Sequence, residues 1–227
     1  NTTASNNTAV GHNAMVANTT GYENVAVGGA AGDSITTGLR NTVVGYAALT
    51  NDTLGTNSVA VGYAALFAQN FTSTTQTNNS ALGHFAGGSV TTGTHNTLLG
   101  SECGDAITTS SNNTMVGSRA GSNQTSGTAN TLIGMEAGAT ITSASNAVAI
   151  GKGAMNGGAV TGDFNIAIGR TCMSSVTSGS QNMAIGVDSL QALTTGSYNI
   201  AIGPSALRAS LTTGSNNVAL GYQAGRN

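Results

Sequence analysis

Hydrolytic chemistry needs a base, a nucleophile and an acid held together, and this chain of 227 residues supplies those parts only nominally. The candidate bases are its three histidines, His12, His84 and His95. Serine occurs 23 times, so a Ser–His–acid combination is expected by chance and carries no information. Glu23, Asp33, Asp52, Asp105 and Asp163 are dispersed along the chain, with no close acidic pair of the kind that cleaves glycosides. Phosphate-loop, zinc-spacing and calcium-loop patterns are absent from the sequence. The residues therefore predict no enzyme, no cofactor and no metal. Cys103 and Cys172 read as small apolar fillers rather than as a disulfide or a nucleophile.

What would position these residues is set by an unusual composition. Thr (34), Gly (33), Asn (25) and Ser (23) make up 51% of the chain, while charged residues are 6% and aromatics 4%. An ordinary soluble domain carries about 25% charge. A core of large side chains cannot be built from this inventory. Charge-driven disorder is also excluded, because the net charge is −2 and 39% of residues are apolar. Six scattered Lys and Arg leave no basic footprint for nucleic acid. No apolar run approaches the roughly 18 residues of a membrane span.

A repeat accounts for the composition. Thirteen times the chain writes a strand-like triplet closed by glycine, usually headed by Asn, as in Asn24-Val25-Ala26-Val27-Gly28 and Asn199-Ile200-Ala201-Ile202-Gly203. The closing glycines run from Gly11 to Gly221; nine of the twelve intervals are 17 residues, two are 18 and one is 21. A fixed period of this size predicts an all-β parallel solenoid of about 13 coils, one repeat per coil. The whole of 1–227 reads as a single array. It opens on Asn1 rather than Met, and both ends fall within the repeat, so a slice of a longer fibre is expected.

Columns of the repeat carry separate duties. The triplet has β character and no charge, which predicts burial of both its faces. Three residues after the glycine sits Ala, Cys or Ser, a slot that implies a narrow interior. An isolated apolar residue (Ile35, Ile107, Leu193) and a turn follow, often Thr-Thr-Gly as at Thr36-Thr37-Gly38. The Asn column consists of Asn7, Asn24, Asn41, Asn79, Asn96, Asn113, Asn130, Asn165, Asn182, Asn199 and Asn217, with Ser58 and Ala147 as exceptions. Coils stack about 4.8 Å apart, so these side chains are expected to form a hydrogen-bonded ladder. About five aliphatic side chains per coil are few for an isolated prism. Two-faced burial then asks for another layer, most simply two more copies of the chain in an intertwined or side-by-side homotrimer.

Segments such as Asn217-Val218-Ala219-Leu220-Gly221-Tyr222-Gln223-Ala224-Gly225 and Ser58-Val59-Ala60-Val61-Gly62 resemble the head repeats of trimeric autotransporter adhesins of the YadA type. The 17-residue unit with its Thr-Thr-Gly turn is closer still to repeats of phage tail fibres and related trimeric surface fibres. The resemblance implies a left-handed β-roll, a trimer, and an extracellular place on a cell surface or virion tail. It departs from the adhesin heads in period, which is usually about 14 residues there.

Three surface features could do more than fill space, two of them as binding sites and the charged column in orienting the coils or setting their register. Tyr46, Tyr63 and His84 share one column and form an aromatic ladder that could stack on sugars. Glu102, Arg119 and Glu136 share another column and alternate in charge. The 21-residue interval places four extra residues in an outward loop at about 67–75, which holds Phe67 and Phe71. The leading function is a structural and adhesive fibre segment that attaches to a cell through a surface glycan or protein receptor. An ice- or surface-binding solenoid built on Thr columns is one alternative, and a glycan-binding or glycan-cleaving tailspike domain another.

Overall fold

The structure, a computed structural model, describes residues 3–209 and 212–226. The chain is a parallel β-solenoid of about 12 turns with a period of about 17 residues, with no helix among the described residues. It divides into two compact units, Asn1–Asn113 and Thr114–Asn227. The first holds β1 (Thr8–Val10), β2 (Val25–Val27), β3 (Thr42–Val44), β4 (Gly55–Thr56), β5 (Val59–Val61), β6 (Thr75–Gln76), β7 (Ser80–Leu82) and β8 (Thr97–Leu99). The second holds β9 (Thr114–Val116), β10 (Thr131–Ile133), β11 (Val148–Ile150), β12 (Ile166–Ile168), β13 (Met183–Ile185), β14 (Ile200–Ile202) and β15 (Val218–Leu220). Within each unit the triplet strands pair in parallel with the copy one coil on, residue for residue, as in Ala26↔Val43 and Ala149↔Ala167. β4 and β6 form a separate short pair at the long coil.

The strand is three residues long because of the glycine that closes it. These glycines adopt φ between 118° and 143°, a region that side chains rarely enter. A Cβ on Gly28 would also lie 2.5 Å from the carbonyl oxygen of Gly45, one coil on. The backbones therefore stack glycine on glycine. Corners that follow need left-handed residues, and many are not glycine: Leu49 (φ 46°), Leu190 (48°) and Arg40 (58°) all hold that conformation. Each costs of order 1 kcal/mol or more when isolated, and here the hydrogen bonds to the neighbouring coils offset it.

The core is the inside of the roll. The middle residue of each triplet points inward and is buried from Ala26 to Ala201, beside the fully buried small column of Ala31, Ala48, Cys103, Cys172 and Ser189. In six coils volume is exchanged between two interior positions. Where the strand centre is large (Leu98, Met115, Leu132), the residue four after the glycine is Gly104, Gly121 or Gly138. Where it is Ala149, Ala167 or Ala184, that residue is Met155, Met173 or Leu190. A Cβ on Gly121 would fall 2.4 Å from Met115 Sδ, so the glycine makes room for the methionine.

Turn chemistry explains Thr-Thr-Gly. The N–H groups of Thr19, Thr20 and Gly21 all donate to the carbonyl of Thr36 (3.0, 3.3 and 3.3 Å), and Thr19 Oγ1 donates to it as well (3.1 Å). The same four donors converge at Thr91-Thr92-Gly93 on the carbonyl of Thr108. Successive N–H groups form a small nest, and the next coil's carbonyl fills it. The isolated apolar slot is buried as expected at Ile35, Val90, Ile107, Val176 and Leu193, but Asn18, Asp52, Gln69 and Gln124 occupy it elsewhere.

Candidate functional site

Several residues with catalytic potential make contacts within the roll. His95 Nε2 lies 3.0 Å from Asn78 Nδ2, and His84 sits in the aromatic stack. Glu23 pairs with Arg40 (2.9 Å), Glu136 with Arg119 (3.6 Å) and Asp188 with Arg208 (3.7 Å). The Oδ1 of Asp163 accepts the N–H of Ser145 (2.8 Å). No group of three His, Cys, Asp or Glu side chains that could hold a metal occurs among the described residues. Burial pushes the thiols of Cys103 and Cys172 up to about 12, the opposite of what a nucleophile needs.

The Asn ladder is present and its bonding is specific. Each Asn Oδ1 accepts the backbone N–H of the ladder residue one coil on: Asn7 to Asn24 (2.9 Å), Asn24 to Asn41 (2.9 Å), Asn79 to Asn96 (2.9 Å), Asn96 to Asn113 (3.1 Å), Asn165 to Asn182 (3.0 Å), Asn182 to Asn199 (2.9 Å) and Asn199 to Asn217 (3.0 Å). Its Nδ2 donates to a turn carbonyl, as Asn24 does to Gly38 (2.9 Å) and Asn130 to Ala144 (2.8 Å). Ser58 and Ala147 receive this bond through their N–H but have no amide with which to pass it on.

Ser58 marks a buried polar cluster beneath the long coil. Asp52 accepts from Gly55 N (3.1 Å), Phe71 N (3.3 Å) and Gln69 Nε2 (2.6 Å). Gln69 Nε2 also donates to Ser58 Oγ (2.8 Å), and its Oε1 accepts from Asn79 Nδ2 (2.8 Å). Gln69 thus takes over the side-chain amide contact that a ladder Asn at 58 would give Asn79, as Asn79 Oδ1 gives Asn96 Nδ2 (3.3 Å). This cluster was not anticipated; the signal for it is the coincidence of polar residues in the apolar slot with a break in the Asn column.

The loop at 67–75 differs from expectation in one respect. Phe67 is 37% exposed, but Phe71 is only 6% exposed and turns inward, so its ring cannot serve as a surface anchor. The protruding residues are Thr72, Ser73 and Thr74. The aromatic ladder is real: Tyr46 and Tyr63 stack at 5.8 Å and 14°, and Tyr63 and His84 at 5.3 Å and 11°. Its rings cover one another, and a Cβ on Gly29 would lie 3.2 Å from the Tyr46 ring. Tyr63 is covered by a ring on either side, while Tyr46, beside a glycine that carries no side chain, stays 61% exposed; the inner rings stack on one another.

A larger surface lies on the outer side of the strands. The residues flanking each inward side chain point out of the roll, and the expected burial of both strand faces does not occur within the chain. Val25, Val27, Val59, Leu82 and Leu99 in the first unit, and Ile133, Ile200, Val218 and Leu220 in the second, are exposed. The column before the closing glycine is Val, Leu or Ile in every coil, the other alternates aliphatic residues with Thr or Ser (Thr42, Ser80, Thr97, Thr114), and neither carries a charge.

No protein-family model and no curated protein matches the chain.

The Thr columns present fewer free hydroxyls than their number suggests. The first Thr of each turn is committed to a carbonyl of the next coil, as at Thr36 to Thr53 (3.1 Å) and Thr177 to Thr194 (3.1 Å).

Proposed function

We propose that this chain is a segment of a homotrimeric adhesive fibre, a left-handed β-roll carried outside a cell or on a virion tail. Its repeats give length and rigidity, and its exposed surfaces meet a receptor on the target cell. The observation that carries the reading is the uncharged outer face of the strands, with one column aliphatic in every coil. Contiguous apolar patches beyond a few hundred Å² mark interaction surfaces, and interface centres are depleted in charge. Val59 and Leu82 are already more than half covered at 39% and 48% exposure. Covering the remainder contributes on the order of 1 kcal/mol per side chain, and the column repeats that gain in every coil. A closed three-fold arrangement covers this face without leaving an open aggregation surface.

The test is the mass in solution by analytical ultracentrifugation, expected at three times the 22.2 kDa of one chain. The double variant Val59→Lys with Leu82→Lys puts charge on the outer face and leaves the interior of the roll untouched. It should keep its β-sheet circular dichroism and lose the trimer. A single-chain mass for the unaltered protein would sink the proposal.

A further inference from the structure

Of the six cations, three are paired with acids, and Arg226 near the C-terminal end of the sequence forms no ion pair among the described residues. Arg40, Arg119 and Arg208 each lie within ion-pair distance of an acid. Lys152 and Arg170 form no ion pair among the described residues, although they stand at the same position, one residue after Gly151 and Gly169. β11 and β12 pair in register just before them, Ile150 with Ile168, so two like charges stack about one coil spacing apart. Like charges placed opposite one another across strands are destabilising. Both side chains are exposed and line one groove in the second unit.

Gly153 forms part of that groove's wall. Other coils carry side chains at the same position with nearly the same backbone, as Asn13 (φ 59°), Glu136 (57°) and Gln223 (55°) do, so the φ of 63° at Gly153 does not demand glycine. Crowding does not demand it either, since a Cβ there would meet only Thr171 Cγ2 at 3.8 Å. What the glycine does is keep the groove open. Asn156 and Ser174, five residues after the two strand glycines, add half-buried amide and hydroxyl groups whose side chains make no hydrogen bond among the described residues. Of the other groups nearby, Glu136 is held by Arg119 (3.6 Å) and Thr171 Oγ1 donates to Asp188. The second unit as a whole carries five cations (Arg119, Lys152, Arg170, Arg208, Arg226) against three acids (Glu136, Asp163, Asp188), a net +2, while the first carries one cation (Arg40) against five acids, a net −4.

We propose that this groove binds an acidic glycan, with Lys152 and Arg170 holding carboxylates or sulfates and Asn156 and Ser174 bonding to sugar hydroxyls. Two cations in a line suit an extended anionic chain better than an enclosed phosphate. They are too few for nucleic acid, whose binding relies on a broad basic face. The inference deepens the adhesive reading and rests on it for its setting.

Fluorescence anisotropy of the unaltered chain with three labelled oligosaccharides of equal length tests it: a polyuronate, a sulfated chain and a neutral chain. Binding of either acidic chain but not the neutral one at 150 mM salt is expected, and the two acidic arms separate carboxylate from sulfate. Lys152→Gln and Arg170→Gln should each weaken binding at least tenfold. Gly153→Gln, which fills the groove with the side chain Gln223 already carries at that position, should do the same with unchanged circular dichroism and mass. Absence of binding to both acidic chains, binding unaffected by these variants, or tighter binding to single-stranded DNA of equal charge would overturn the proposal. Attachment to target cells is scored separately. Attachment without acidic-glycan binding rejects the groove alone, and glycan binding without attachment rejects the adhesive reading.

Discussion

Replacing Asn182 by alanine isolates what one rung of the ladder contributes. Asn182 is 1% exposed. Its Nδ2 donates to Gly196 O (2.9 Å) and Asn165 Oδ1 (3.1 Å), and its Oδ1 accepts from Asn199 N (2.9 Å) and Asn199 Nδ2 (3.0 Å). The Asn199 amide keeps a second partner in Gly214 O (2.8 Å), and Asn165 Oδ1 keeps the backbone N–H of residue 182 (3.0 Å). The irreplaceable loss is the acceptor for the Asn199 N–H, a buried orphan that costs about 1–3 kcal/mol. The bond to Gly196 adds about 1 kcal/mol, for a total of about 3 kcal/mol. Hydrogen exchange reads this locally, which matters because repeat arrays do not always unfold in one step. The amides of Met183 and Ile200 keep their own acceptors, the carbonyls of Asn199 and Asn217 (both 2.8 Å), so their protection reports the opening of the coil. It should fall about 100-fold, at about 1.4 kcal/mol per factor of ten. The chain contains its own comparison, because Ala147 offers Asn165 no side-chain acceptor; the Asn165 amide should exchange faster than those of Asn182 and Asn199. A fall of less than threefold in Asn182→Ala would refute the claim that the ladder stabilises the stack.

Other interior and corner features give equally direct outcomes. Leu132→Ala should destabilise by about 2–5 kcal/mol through the cavity it leaves, and adding Gly138→Leu should recover at least half in thermal unfolding, because it recreates the arrangement of Ala184 and Leu190. Gly186→Ala should abolish the native circular dichroism, since φ is 133° and the Cβ would lie 2.6 Å from the backbone of Gly203. Folding raises the thiols of Cys103 and Cys172 from 9.0 to about 12; unfolded thiols therefore lose protons first, and stability present below pH 9 falls as pH rises towards 12. The slope approaches about 1.4 kcal/mol per pH unit for each thiol, measurable by urea denaturation, and a flat profile over that range would contradict it. Thr72→Lys and Thr74→Lys test the protruding loop by cell attachment without disturbing Gln69 or Phe71, whose deletion would open the interior.

Features that recur in every coil could be read from the sequence. The period, the small inward column and the Asn ladder each repeat, and stacking turns repetition along the chain into contact in space. An aliphatic triplet such as Val25-Ala26-Val27 does not say how many of its faces are covered. Only the small size of Ala26 hints that it points into a narrow roll while the valines point away, so one chain leaves the second strand face open, and the layer expected over it belongs to the proposed neighbouring copies. Phe71 misled in a related way, because it lies in a unique insertion whose direction no column fixes. The Asp52–Gln69–Ser58 cluster and the groove at Gly153 are departures from columns, and each has meaning only once the residues it departs from are known to be neighbours. Lys152 and Arg170 are 18 residues apart, and only the register of β11 and β12 makes them a pair.

The nest at Thr19-Thr20-Gly21 and Thr91-Thr92-Gly93 has an evolutionary consequence. Its donors are N–H groups and a hydroxyl, and its acceptor is the main-chain carbonyl of the following coil, a group that every amino acid supplies. The Asn side chain likewise finds its partners largely among main-chain groups. A coil therefore asks little of its neighbour's side chains beyond compatible volume, which makes coils nearly interchangeable. In-frame duplication or loss of one 17-residue unit by recombination would leave these contacts intact, so a lineage can change the number of coils without redesigning any of them.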